Sequence, residues 1–250
     1  MTFWPKSTLR ERGVMARSTE LKPKKDHQQA EPHEPSWQRD SVDRSLRNAR
    51  ARAQARSDRF VAAAVELLGE RDESDFTIQD VVDRSNMSQR TFYTFFDGKD
   101  SLLLAVYETI LRTTALPMLR ERCDGITDPV LRLKALLEAI SEITAMPARL
   151  ARGLSVLHLR LTESRPKDLT YALEPLHSLI VELLTAVADA GLLRKDVPLT
   201  TQAALLQELL LATSHSAVLA GGRSTSFDDL WAFCSAAILR TAGASEAASG

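Results

Sequence analysis

Gln89, Arg90, Tyr93 and Thr94 have the chemistry to read DNA. Amide and guanidinium groups hydrogen-bond base edges in the major groove, and phenol and hydroxyl groups reach bases or phosphates. At about 100° per residue these side chains fall on one arc of a helix. Phe92, Phe95 and Phe96 fall on the opposite arc. The apolar arc would pin the helix to its neighbours while the polar arc looks outward. That is the layout of the recognition helix in a helix-turn-helix.

The elements that must position this helix lie on either side, in Phe76 to Leu103, FTIQDVVDRSNMSQRTFYTFFDGKDSLL. Thr77 is a good N-cap, and Ile78, Val81 and Val82 give the helix after it one apolar side. Ser85-Asn86-Met87 breaks that helix. Asn86 tolerates the left-handed conformation a tight turn needs, and Met87 is expected to point into a small core. Ser88 caps the second helix. Asp97-Gly98 ends it, and Asp97 is expected to cap a third.

At these residues the sequence resembles the TetR family of bacterial transcriptional regulators. Phe76-Thr77-Ile78, Asp80-Val81-Val82, Ser88, Thr91-Phe92-Tyr93, Phe96, Lys99 and Leu102-Leu103 match the family pattern in order and spacing. Asn86 departs from the usual turn glycine. Phe95 stands where the family usually has His or Tyr, so no DNA contact is expected from it. The resemblance implies a DNA-contacting set of Thr77, Ser88, Gln89, Arg90, Thr91, Tyr93, Thr94 and Lys99, with Lys99 on a phosphate.

Composition adds a constraint. Lys plus Arg total 32 against 33 Asp plus Glu, so the net charge is -1 and any basic footprint must be local. It is found just before the motif. From Ser41 to Gly69 the pattern is helical, first with Arg44, Arg47, Arg50, Arg52, Arg56 and Arg59, then with Phe60, Val61, Ala64, Val65, Leu67 and Leu68. The apolar half resembles the first helix of TetR proteins. Arg44, Arg47 and Arg50 are candidates for phosphate or minor-groove contact; the alternative is a solvated helix end.

Residues 1–40 are polar and broken by prolines, which reads as a disordered tail, with Met1 and Met15 both acceptable starts. Residues 41–99 form the helix-turn-helix domain and 100–242 a larger helical one; 243–250 fray. Beyond Leu102 the chain is rich in Leu and Ala at helical spacing, with Pro at helix starts and Gly past helix ends. No segment alternates with period two. The expected fold is all-α, about nine helices, with Pro117 as a kink or break.

The last two helices are apolar on more than one side, and such a helix needs two partners. One is the domain's own core, and the second is expected to be a copy of the chain, which the resemblance also implies; the alternative is a wider monomeric core. Leu206, Leu210, Ala217, Leu230, Trp231 and Ile238 are the candidate dimer contacts. Two copies would present two recognition helices to an inverted-repeat operator. The middle helices should enclose an apolar pocket, with Thr144, Arg149, His158, Thr162, Tyr171 and His177 as the polar residues able to orient a small hydrophobic or amphipathic effector. The resemblance implies that such an effector lowers operator affinity through the helix carrying Leu102, Leu103 and Val106, as in a repressor.

Cys123 and Cys234 are far apart with no metal-ligand spacing, so neither a metal nor a cofactor is expected. No apolar run approaches the ~20 residues of a membrane span, and the N-terminus shows no signal-peptide pattern, so a cytoplasmic protein is expected. Two other readings stay open. The second domain could only dimerise or bind a protein. More remotely, the chain could be an all-α enzyme, against which stand its scattered histidines and the lack of a nucleophile–base set.

Overall fold

The computed structural model describes residues 36–71, 76–142, 148–219 and 225–240. Among them it has nine helices: α1 Ser36–Glu70, α2 Ile78–Ser85, α3 Gln89–Phe95, α4 Lys99–Cys123, α5 Pro129–Ser141, α6 Ala148–Ser164, α7 Pro166–Asp189, α8 Leu199–Leu219 and α9 Phe227–Ile238. There is no sheet among the described residues, only an isolated antiparallel bridge between Leu193 and Leu239. It ties the α7–α8 loop to the end of α9, with Arg194 N–H donating to the Ile238 carbonyl.

α1 starts at Ser36 rather than Ser41. After Pro35 no Gly or Pro intervenes, so nothing stops the helix from reaching back to that proline. Residues 1–35 and 241–250, where the two tails were expected, lie outside the described residues. The chain divides between Arg47 and Asn48, within α1. On the N-terminal side of that division the described side chains of α1 are exposed; the other helices belong to the second unit.

The second unit holds a continuous core. Phe60, Leu67 and Leu68 of α1 contribute to it with Phe76, Val81 and Phe92. Leu102, Leu103 and Val106 of α4 carry it toward Leu133, Leu136 and Leu137 of α5 and Leu157 and Leu161 of α6. Each such fully buried side chain stabilises by roughly 1.5–3 kcal/mol relative to exposure. α4 and α7 have the length and mean hydropathy, 1.3, of a membrane span by composition alone, although neither holds an unbroken apolar run of that length. Their apolar faces are used inside the protein: Leu102 and Val106 on α4 and Ile180 and Leu184 on α7 are fully buried.

Pro117 neither breaks nor ends its helix. Just before it, Leu111–Ala115 widens to a π-helical turn in which Leu116 N–H donates to the Leu111 carbonyl. A proline ring crowds the carbonyl four residues back and offers no N–H. The wider turn shifts the register, so the helix continues to Cys123. Pro175 sits inside α7 without ending it, and there the helix stays α-helical. α7 stops where Gly191, at φ 73°, takes the left-handed conformation that lets Leu192 N–H return to the Val187 carbonyl.

Candidate nucleic-acid interface and ligand cavity

The helix-turn-helix is fixed by short polar contacts. Thr77 caps α2 through a capping box: its hydroxyl accepts from Asp80 N–H, and the Asp80 carboxylate accepts from Thr77 N–H and from the Thr77 hydroxyl. Those bonds, with Arg71 beside them, hold the Asp80 carboxyl down at about 2. Arg84, at the other end of α2, pairs with Glu66 and Glu70 of α1. Asn86 takes φ 54°, the left-handed turn conformation, and Met87 packs against the core. Ser88 caps α3 by accepting from Thr91 N–H, and its hydroxyl also bonds the Thr91 hydroxyl.

On α3, Phe92 is fully buried and meets Phe60 edge to face at 5.5 Å. Phe96 is buried beside it, and Phe95 is half-buried against the core. Gln89, Arg90, Tyr93 and Thr94 are exposed. Thr94 spends its hydroxyl hydrogen on the Arg90 carbonyl at 3.1 Å. Thr77, Ser88 and Thr91 likewise have their hydroxyls engaged in caps. Gln89, Arg90 and Tyr93 therefore offer the uncommitted polar groups of this face.

α4 starts differently from expectation. Its N-cap is Gly98 and has no side-chain bond; Asp97 points to solvent and lies 3.9 Å from Arg165. Lys99 donates to the Phe76 carbonyl and lies 4.2 Å from the centre of the Phe76 ring, so it ties the start of α4 to the segment before α2. Arg44, Arg47 and Arg50 are exposed on α1.

The helices after α3 line a partly open cavity of about 90 Å³. The wall is aliphatic, from Ile110 and Leu111 of α4, Ile140 of α5, Leu154 of α6, Leu176 of α7 and Leu211 of α8. The π-helical turn of α4 forms part of it. The polar groups are Tyr107, Ser155, His158, Ser214 and His215. Tyr107 Oη is 2.9 Å from His158 Nδ1, and the His158 and His215 rings stand 4.6 Å apart. Burial pushes the Tyr107 phenol up, out of reach of ionisation near neutrality. Burial, and then the neighbouring His215, lowers His158 to about 4, while burial lowers His215 too. At neutral pH the cluster is uncharged.

Of the expected effector residues among those described, only His158 lines this cavity. His158 also borders an outer groove, which contains Thr162 and His177. His177 Nδ1 lies 3.1 Å from Gln207 Oε1. Arg149 turns away and donates to the Glu70 carbonyl at 2.9 Å. Tyr171 is 71% exposed on α7 and lines neither space. Thr144 lies outside the described residues. Tyr107, Ser155, Ser214 and His215 were missed. Their signal is the same as that of His158, a polar residue inside a Leu- and Ala-rich helix, but only the packing brings the helices together.

The expected dimer residues fall into two groups by burial. Leu206, Leu210, Leu230 and Ile238 are 2–6% exposed, because they fill the core of the chain itself. A side chain used there has no surface left for a second copy. Ala217 and Trp231 are half-buried. The large apolar groups that α8 and α9 leave outside are Leu205, 58% exposed, and Phe233, 66% exposed.

Residues 60–106 match the family model for bacterial regulatory proteins of the tetR family. Over these residues the chain resembles the DNA-binding unit of that family. Over 71 residues it is 31% identical to YvdT of Bacillus subtilis (strain 168), an uncharacterized HTH-type transcriptional regulator. That alignment covers 28% of this chain and 36% of the relative's length. The fold is similar to that of FadR from Thermus thermophilus, a TetR-family transcriptional repressor solved with lauroyl-CoA. The TM-score is 0.57 at 23% identity, over 71% of this chain and 90% of that one. It is also similar to RolR, solved with resorcinol, at TM-score 0.57 and 17% identity, over 75% and 89% of the two chains. These two likenesses are of fold. YvdT and the Thermus thermophilus FadR are described as transcriptional regulators. Among the described residues no group of three His, Cys, Asp or Glu could hold a metal, and both cysteines are buried free thiols.

Proposed function

We propose that the protein is a transcriptional repressor that binds an inverted-repeat operator as a homodimer and releases it when a small molecule fills the cavity among α4–α8. The observation that carries the DNA reading is the α3 face, where Gln89, Arg90 and Tyr93 stand exposed on a capped helix whose other side is locked by Phe92. In this reading they contact base edges, and Thr77, Ser88, Thr91 and Thr94 shape the helix or reach phosphates. Lys99 holds the start of α4, with its phosphate role secondary. Arg44, Arg47 and Arg50 supply phosphate affinity.

Homodimerisation is assigned to the outer faces of α8 and α9. Leu205, Leu209, Ala212 and Ser216 recur at helical spacing on α8, and Phe233, Ala236 and Ala237 on α9. Small residues around a few large apolar ones allow close packing of helices about a two-fold axis. In the release mechanism α4 and α6 are the levers. α6 lines the cavity through Leu154 and His158. It also reaches the DNA-binding unit through Arg149, bonded to the Glu70 carbonyl, and through Arg160, 2.7 Å from Asp100 at the start of α4. A ligand that favours a different seating of α6 lowers operator affinity by the difference in its affinity for the two seatings.

The test is selection of bound fragments from the source genome with purified full chain, followed by sedimentation of the complex. The reading expects a palindromic consensus carrying two chains, and a Phe233→Asp variant that sediments as a monomer and loses most operator affinity. A non-palindromic consensus, or a Phe233→Asp variant that still sediments as a dimer, would contradict it.

A further inference from the structure

Resting on the effector reading above, we propose that the cavity takes a small, uncharged, mostly apolar molecule with one hydroxyl or carbonyl group, which hydrogen-bonds Ser214 Oγ. Ser214 is 8% exposed, lines the cavity and has no hydrogen-bond partner. The neighbouring hydroxyls show what it forgoes. Ser155 donates to the Ala151 carbonyl and Thr213 to the Leu209 carbonyl, each within its own helix. A buried hydroxyl left unpaired is costly, and a ligand group that pairs with it removes the cost.

Size comes from the volume. One buried water needs ~10–15 Å³, so a cavity of about 90 Å³ has room for about six to nine waters, the scale of a small organic molecule. A benzyl or cyclohexyl compound is of this scale. Charge is decided by the wall. Among the described residues no Lys, Arg, Asp or Glu lines the cavity. Its titratable side chains, Tyr107, His158 and His215, are uncharged near neutrality for want of water, so an ionic ligand would meet neither a counter-charge nor a solvent shell. Outside, the groove that His158 and Leu211 share with the cavity carries Glu174 and Glu208 and no Lys or Arg, which repels anions. The combination opposes an acyl-CoA and favours a compact neutral alcohol, phenol or ketone.

Calorimetry on the full chain at pH 7.5, without DNA, tests the class. Benzyl alcohol, benzoate and benzylamine are nearly equal in size and differ in charge; cyclohexanone and lauroyl-CoA complete the panel. The expected result is binding by benzyl alcohol or cyclohexanone above the rest, weakened about 3–10-fold in Ser214→Ala, with circular dichroism showing that the variant stays folded. The proposal is overturned if benzoate, benzylamine or lauroyl-CoA binds more tightly than both neutral compounds, if no member of the panel binds, or if Ser214→Ala binds as wild type does. Because the readout contains no DNA, failure of the ligand class is separate from failure of the effector reading. The latter would show as operator affinity unmoved by a compound that does bind.

Discussion

The helix-turn-helix and the long-helix region solve opposite problems. Residues 76–98 hold short helices that would not persist alone. Specific bonds fix them: Thr77 with Asp80, Ser88 with Thr91, Arg84 with Glu66 and Glu70, and the ring contacts of Phe60 with Phe92 and Phe96. From α4 to α8 the helices are long and packed mostly by aliphatic side chains. That region contains a widened helical turn, a cavity, a neutral histidine pair and an unpartnered serine. One region is specified to a single shape so that a few outward groups keep their register. The other leaves room that an occupant can fill, and α6 touches both.

The largest expected effect probes that contrast in packing. Phe92→Ala removes a ring with no exposed surface and should destabilise by about 3–5 kcal/mol in chemical denaturation. Leu176→Ala, at the cavity wall, should cost about 2 kcal/mol, the low end of its class, because its side chain already lacks neighbours on one side. Equal costs would erase the distinction between a closed core and an open one.

Next comes the pH response of the cavity. The folded His158 sits at about 4, below the ordinary 6.5, so the unfolded chain binds its proton first as pH falls. The stabilisation is therefore complete above pH 6.5 and is lost between 6.5 and 4, by on the order of 3 kcal/mol. The titratable groups packed against it are Tyr107 on α4 and His215 on α8; His177, Glu174 and Glu208 line the groove outside. His158→Asn should flatten the decline seen in thermal melts across that window. A wild-type protein equally stable at pH 4.5 and 7 would contradict the account of the cluster.

A smaller effect is expected at the cap. Thr77→Ala should destabilise by about 0.5–2 kcal/mol, Thr77→Ser should restore most of it, and operator affinity should follow stability rather than the hydroxyl itself. If Thr77→Ala lowers operator affinity with stability unchanged, the hydroxyl contacts DNA.

What the sequence disclosed follows the same divide. Caps, turn and recognition face depend on residues a few positions apart, so Thr77, Asn86, Ser88 and the α3 arcs could be read directly. The missed cap at Asp97 is local too, but there the side chain turns to solvent and Gly98 takes its place. Cavity and dimer surfaces depend on which sides of long helices meet. α8 is apolar nearly all round, so periodicity cannot say whether Leu205 or Leu206 faces inward; Leu206 does. Tyr107, His158, Ser214 and His215 lie on three helices that only the folded chain brings together.

Operator affinity of the Arg90→Ala chain is the most direct test of the central claim, that the exposed α3 face reads sequence. It should be measured by fluorescence anisotropy at one salt concentration, on the selected fragment and on a scrambled duplex. The account predicts a loss of about 1–3 kcal/mol, or roughly 10–100-fold, on the selected fragment, and a far smaller loss on the scrambled one. Equal losses on both duplexes, or none on either, would contradict it.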